Sequence, residues 1–251
     1  MGKLDGKRAL VTGSSSGIGA GVAAAFAREG ADVVINFPSS RQQADADNVV
    51  QAMRESGRRV AAVQADVSNA AEVEALVAET VKTLGGIDIL VNNAGIAAQA
   101  AVEDMTIESW DRMIAVHMRS VFLVTRLVLP LMYEQNYGKI VNTASQLAYK
   151  GAPGSAHYTA AKAGIIGFTR SLALEIGKRN LTANCVAPGA TNTPLLSGFT
   201  EEALDAIRAN IPRGQFAEIE EIVPTYVFLA SDDSRNFQGQ CLSPNGGDVF
   251  L

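Results

Sequence analysis

The stretch 157–164 reads HYTAAKAG, with Tyr158 and Lys162 four residues apart and Thr159, Ala160 and Ala161 between them. Residues i and i+4 share one face of a helix, so the phenol and the ammonium can approach each other. A tyrosine ordinarily titrates near ~10, and a neighbouring cation stabilises the phenolate and lowers that value. A phenol tuned in this way exchanges a proton with a substrate hydroxyl near neutral pH. The pair alone is a weak signal, because solvated helices carry the same spacing without any chemistry.

A second group of residues suits an anion. Residues 12–19 read TGSSSGIG, with Gly13, Gly17 and Gly19 spaced G-x-x-x-G-x-G and Ser15, Ser16 and Ile18 among them. Glycines let backbone approach a pyrophosphate, and a helix beginning near Ile18 points its amino end at the charge. A tight turn with no ligand has the same composition. A further turn, NNAG at 92–95, offers Asn93 to hold neighbouring backbone, while the small Ala94 and Gly95 leave room for a flat ligand.

These residues need a scaffold. The runs 8–13, 31–36, 58–66, 87–95, 139–145 and 181–189 read as strands, and 18–28, 44–55, 71–83 and 157–176 as helices. Such alternation implies an α/β fold: a doubly wound parallel sheet of about seven strands with helices on both faces. No linker or charge run divides the chain, so residues 1–251 are expected to form one domain. The least regular region, about 188–213, has a short helical piece at 201–210 and suits a substrate loop after a strand's carboxyl end.

Composition narrows the classes. The chain has 251 residues, 47% of them hydrophobic and 19% charged, with a net charge of −5. That balance suits a globular protein and gives no electrostatic footprint for nucleic acid or an anionic membrane. No apolar run approaches a membrane-spanning length and the start lacks a signal-peptide core, so the expected location is cytoplasmic. Cys185 and Cys241 are far apart in sequence and read as buried reduced thiols; neither a disulfide framework nor a metal site is expected.

TGSSSGIG, NNAG, a serine thirteen residues before YTAAK, and PGATNT together resemble the short-chain dehydrogenase/reductase family over essentially the whole chain. The likeness is greatest to the subset containing 3-oxoacyl-carrier-protein reductases and glucose or other polyol dehydrogenases. It implies a Rossmann-type fold, a nicotinamide cofactor, and reversible hydride transfer between an alcohol and a carbonyl. By the same resemblance Tyr158 is the general acid/base. Lys162 lowers the tyrosine's pKa and hydrogen-bonds the nicotinamide ribose, and Ser145 holds the substrate oxygen. Pro188, Gly189, Thr191 and Thr193 belong to the segment at the nicotinamide end. The family usually has asparagine where this chain has His117. That residue marks a helix irregularity whose backbone carbonyl holds a water beside the lysine, so the carbonyl can serve here; the other reading is that the imidazole itself titrates. His157 either lines the pocket or has a surface or packing role. The resemblance also implies a homotetramer, for which the apolar run 121–132 and the carboxyl-terminal QCLSPNGGDVFL are candidates, although a core helix explains the former equally well.

The second strand ends INFPSSR, with Phe37 where NAD-selecting relatives place a carboxylate. Ser39, Ser40 and Arg41 can donate to a 2′-phosphate. NADP (as NADPH) is therefore expected over NAD, although Ser14, Ser15 and Ser16 add no cation. Asp66 and Val67 resemble the adenine-contacting pair, the other reading of Asp66 being a helix cap. Gln146, Leu147, Tyr149, Leu195, Leu196 and Phe199 are the candidates to line a substrate pocket. They suit a small hydroxyketone, a polyol or a short acyl chain equally. The expected function is an NAD(P)-dependent oxidoreductase acting on CH–OH groups and carbonyls; the alternative is a catalytically silent nucleotide sensor or scaffold.

Overall fold

Strands buried on both faces lose polar alternation, and the β-branched runs of this chain show it. The computed structural model describes residues 2–250. Its strands are β1 (Arg8–Val11), β2 (Asp32–Phe37), β3 (Val60–Gln64), β4 (Ile89–Asn92), β5 (Gly138–Thr143), β6 (Leu181–Val186) and β7 (Cys241–Leu242). All pair in parallel in the order β3-β2-β1-β4-β5-β6-β7. The order reverses between β1 and β4, which makes the carboxyl ends of those strands the crevice in which such sheets take ligands. Several strands end earlier than the sequence suggests. The trimmed residues, Thr12–Gly13, Asn93–Gly95 and Ala187–Gly189, form turns at that crevice.

The helices are α1 (Gly17–Arg28), α2 (Gln43–Arg54), α3 (Ala70–Leu84), α4 (Ile107–Ile114), α5 (Ser120–Gln135), α6 (Leu147–Lys150), α7 (Ala156–Ile176), α8 (Glu201–Ala209) and α9 (Ile219–Ala230). Two core clusters lie on opposite faces of the sheet. On one face, Val22 and Phe26 of α1 and Ile222 and Tyr226 of α9 pack with Ala9, Val11, Val33 and Ile35. On the other, Leu76 of α3, Val124 of α5 and Leu172 of α7 pack with Leu10, Val34, Leu90 and Ile140. Successive strand residues thus feed opposite clusters, as a period of two demands.

Two expectations are corrected. Helix α4, a π-helical turn (Ala115–Arg119) and α5 form one continuous rod, 107–135, that is long and apolar enough by length and composition to cross a membrane. Leu123, Val124, Val128 and Met132 nonetheless pack against the sheet, which makes it a core helix. That packing buries Val121, Leu123, Val124, Thr125, Val128 and Met132 of the run 121–132, while Phe122, Arg126 and Pro130 stay exposed, Phe122 by 49%. Cys185 and Cys241, distant in sequence, face each other in register on β6 and β7, both free, with Cys241 only partly buried.

Candidate active site

The glycine-rich turn is held from behind by side chains. Gly13 takes φ +60° and Gly17 φ +58°, a left-handed backbone that favours glycine. Thr12 Oγ1 accepts from the backbone N–H groups of Asn93 and Ala94 (3.0 and 3.2 Å). Asn93 Nδ2 returns two bonds, to the carbonyls of Thr12 and Gly13 (3.1 and 2.9 Å). Gly19 packs directly on that asparagine, and Gly17 faces Thr193 across the cleft. Ser14 is buried and donates to the Val11 carbonyl, Ser15 is buried beside it, and Ser16 is the exposed serine of the turn. Ser16 caps α1 without a side-chain bond and the first turn carries no acidic residue, so the N–H groups of Gly17, Ile18 and Gly19 face an anion without competition. This cradle fits a dinucleotide's pyrophosphate.

Sequence reasoning missed Asn36. Its Oδ1 accepts from Gly13 N–H (3.2 Å), and its Nδ2 donates to the Val63 and Ala65 carbonyls (3.2 and 2.9 Å). A lone asparagine inside the apolar run DVVINF was the available signal.

Across the crevice, Ser145 follows β5 while Tyr158 and Lys162 lie in the first turns of α7. Lys162 is buried, donates through Nζ to the Thr143 carbonyl (2.7 Å), and lies 5.7 Å from the centre of the Tyr158 ring. Burial pushes the Tyr158 phenol up, and its hydrogen bond with Ser145 draws it only partly back. Burial likewise pushes the Lys162 ammonium down, to about 7. The expectation that the lysine lowers the tyrosine is corrected in direction. The i, i+4 spacing brings the groups together, but both lose water, and the ammonium spends its bond on a carbonyl.

His117 lies within the π-helical turn, so the irregularity expected at this position is present. Its Nε2 contacts the backbone N and O of Ile96 (3.0 and 2.8 Å), and its ring meets Tyr158 edge-on at 5.2 Å. Burial, and next the charge of Lys162, push its pKa down to about 3, which leaves the imidazole neutral near pH 7. The carbonyl of His117 takes only the longer of two contacts from Ser120 Oγ, 3.2 Å against 2.6 Å to Val116. Gly95 packs against this ring: a Cβ there would lie 2.5 Å from His117 Cε1. His157 is also buried, with both ring nitrogens unpartnered, which excludes a surface role.

At the adenosine end, Phe37 is 2% exposed and packs in the core, so it bears on the nucleotide only by being no carboxylate. Ser39 donates to Gln42 Oε1 (2.7 Å), whereas Ser40 and Arg41 are exposed on a short 3-10 turn (Ser40–Gln42). Asp66 is not the helix cap; Asn69 caps α3. Burial works to raise Asp66, but hydrogen bonds from Ser68 and Arg112 outweigh it and hold the carboxyl below its ordinary value. Val67 is buried in the core cluster beneath α3.

The nicotinamide-end segment closes on the site. Gln146 N–H donates to the Pro188 carbonyl (3.1 Å), Gly189 N–H to that of Pro244 (3.0 Å), and Thr191 Oγ1 to that of Gly189 (3.0 Å). Leu147 donates its N–H to Ser145 Oγ (3.2 Å). Leu195, Leu196 and Phe199 precede α8, which buries none of its residues. Tyr149 is the exception among the expected lining residues. Its hydroxyl lies by Cys241, and burial together with that contact pushes the phenol up.

The comparisons match this geometry. Residues 13–248 fit the family model described as enoyl-(acyl carrier protein) reductase. A 3-oxoacyl-[acyl-carrier-protein] reductase of Thermotoga maritima is 38% identical over 99% of this chain and 100% of its own. The chain belongs to the short-chain dehydrogenase/reductase family. Another relative, the (2S)-[(R)-hydroxy(phenyl)methyl]succinyl-CoA dehydrogenase subunit BbsD of Thauera aromatica, is 40% identical over 97% of both chains. The structure of a short-chain dehydrogenase from Burkholderia cenocepacia in complex with NADP superposes with a TM-score of 0.91, at 35% identity, covering 98% of this chain and 99% of that one. The doubly wound seven-stranded sheet is the fold of this family.

Proposed function

We propose that this chain interconverts a ketone and a secondary alcohol with NADP as the preferred nicotinamide cofactor. A bound nicotinamide supplies or takes the hydride. Tyr158 gives its proton to the developing alkoxide during reduction, and Ser145 holds the same oxygen by hydrogen bonding. Lys162 keeps its ammonium beneath the phenol and faces the nicotinamide ribose. The observation that carries this reading is the meeting of Tyr158 with the buried Lys162, whose Nζ lies 5.7 Å from the centre of the phenol ring, in the first turns of α7 beside the end of β5 that carries Ser145. Burial raises the Tyr158 phenol, and a phenol that stays protonated near pH 7 is an acid ready to donate. A silent sensor needs no such group. The relatives named for reduction of 3-oxoacyl groups and for dehydrogenation of a hydroxyl support carbonyl and alcohol chemistry.

The exposed cation Arg41 and the absence of a carboxylate at position 37 support NADP, as does the nucleotide named in the Burkholderia complex. We read residues 1–251 as one domain whose 188–213 segment covers the substrate. A cytoplasmic homotetramer is the assembly we propose. Ile107, Met118, Phe122 and Leu174 are exposed on α4, the π-helical turn, α5 and α7, with Leu174 86% exposed, and they suit a helix-to-helix subunit contact. Turnover of a ketone panel with NADPH and with NADH tests the activity, and its complete absence on every ketone refutes it. Light scattering that returns only a monomer refutes the assembly.

A further inference from the structure

The chain has two cysteines, and the sheet sets them side by side. Cys185 and Cys241 are register partners on the parallel strands β6 and β7, and both are free. Neighbouring strands run about 4.7–4.9 Å apart, inside the ~4.4–6.8 Å between Cα atoms that a disulfide spans. Both side chains lie on the α7 face of the sheet, where Cys241 packs against the cluster of Cys185, Val121, Ile165 and Ile166. The two thiols touch, and their surroundings differ. Cys185 is buried and contacts Thr169 Oγ1 at 3.1 Å; the neighbouring Cys241 and burial push its thiol up. Cys241 is only partly buried. The Cys185 thiol, and after it the Tyr149 hydroxyl and Arg170, hold Cys241 below the ordinary thiol value against the effect of burial. One sulfur is suited to attack and the other to resolve.

We propose that Cys241 and Cys185 form a hydroperoxide-sensitive dithiol that closes to a reversible disulfide and thereby weakens the hold on the nicotinamide nucleotide. The Cys241 sulfur attacks the terminal oxygen of the hydroperoxide; the O–O bond breaks, and the alcohol leaves with the Cys241 proton. The Cys185 sulfur then attacks the resulting sulfenic acid; the S–S bond forms, the S–O bond breaks, and water leaves with the Cys185 proton. Two thiols are oxidised by two electrons and one hydroperoxide is reduced. The consequence for the nucleotide rests on reading Pro188 to Thr193 as the nicotinamide-end segment. That segment hangs on β7, a two-residue strand at the edge of the sheet. The carbonyls of Leu242 and Pro244 accept from the N–H groups of Ala187 and Gly189 (2.8 and 3.0 Å), and Ser243 Oγ donates to the Ala187 carbonyl (2.7 Å). A disulfide needs Cβ atoms about 3.5–4.5 Å apart, closer than the strands' own spacing, so closure draws β7 inward and displaces these anchors.

The test treats the folded protein with hydrogen peroxide, blocks remaining thiols with iodoacetamide, and reads intact mass and peptide maps beside fluorescence titrations of NADPH. The unmodified protein is expected to lose two hydrogens, to keep no alkylatable thiol within one chain, and to recover both thiols in dithiothreitol. The NADPH Kd should rise roughly two- to tenfold on oxidation, the scale of one disturbed neutral hydrogen bond, and return on reduction. Cys241→Ser should show neither the mass loss nor the change in Kd. Cys185→Ala should accumulate a sulfenic acid at Cys241 that dimedone traps. Two thiols still open to alkylation after peroxide overturn the proposal, as does a crosslink between chains or a sulfenic acid trapped at Cys185 in Cys241→Ser. Should either variant not fold, the unmodified protein alone decides the disulfide. A disulfide that leaves the NADPH Kd unchanged overturns its link to the nucleotide. Reduced protein that binds no NADPH removes the nucleotide reading instead, while the mass and the thiol count still judge the dithiol.

Discussion

The ring of His117 occupies the space that a side chain on Gly95 would need, with Cε1 2.5 Å from where the Cβ would stand. In this chain the glycine of the NNAG turn thereby also seats an imidazole from the neighbouring helix. The ring bonds the Ile96 backbone through Nε2 and backs the Tyr158 phenol edge-on. Histidine at this position thus works as a strut between the turn after β4 and the proton donor.

Gly95→Ala is expected to destabilise the fold by about 1–3 kcal/mol, the usual range for overpacking a filled site. Combined with His117→Asn, whose shorter side chain vacates the space, the same change should cost less, with a coupling of roughly 0.5–3 kcal/mol. Urea unfolding of the two single variants and the double decides this. Equal cost in both backgrounds means the ring and the glycine are not in contact.

His117 also sets a pH dependence. Its pKa lies near 3 in the fold against 6.5 for the ordinary group, because burial disfavours the imidazolium. Between those values the unfolded chain binds a proton that the folded one does not, so stability is full above about 6.5 and is lost as pH falls toward 3. The slope is up to roughly 1.4 kcal/mol per pH unit from this group. His117→Asn removes that contribution and should flatten the unfolding free energy across the window, with little change in activity near pH 7. A vanished neutral-pH limb in its rate profile would instead show an imidazole that titrates during turnover.

What was legible in the sequence was local. Helices α1, α2, α3 and α7 start and stop within about a residue of their periodic patterns, and the glycine turn and the Tyr158–Lys162 pair need only short spacings. The bounds of α5 and α9 were hidden because neither helix has a continuous polar face and each carries a proline, Pro130 and Pro224, which reads as a break. Direction of pKa was hidden as well. The attraction within the Tyr158–Lys162 pair follows from spacing, whereas the larger effect, loss of water around both groups, follows only from packing. Contacts such as Gln146 to Asp248 span 102 residues and leave no local pattern.

If Tyr158 supplies the proton, Tyr158→Phe should lose ~10²–10⁴ in kcat on every substrate while still binding nucleotide, the scale of a lost general acid. Lys162→Ala should impair both turnover and nucleotide affinity. With the phenol raised, reduction is expected to persist at neutral pH, and oxidation of the alcohol, which needs the phenolate, to climb with rising alkaline pH. Steady-state rates in both directions across pH, with fluorescence titration of nucleotide, separate the roles. Substantial turnover in the phenylalanine variant would sink the assignment.

Arg41 is exposed on the turn that follows β2, while Phe37 is buried at the strand's end. Arg41 is a charged donor, and a hydrogen bond to a charged group contributes roughly 1.5–3 kcal/mol, about a tenfold to hundredfold preference for the 2′-phosphate. NADPH should therefore bind more tightly than NADH, and Arg41→Ala should narrow the gap by that factor with NADH affinity unchanged. Phe37→Asp is a poor way to reverse the choice: it places a carboxylate in the core and should destabilise the fold before it reaches any ribose. Titrations of both reduced nucleotides against the unmodified protein and Arg41→Ala decide the matter. NADH binding as tight as NADPH in the unmodified protein defeats the preference, and a gap that survives Arg41→Ala moves its source elsewhere in the crevice.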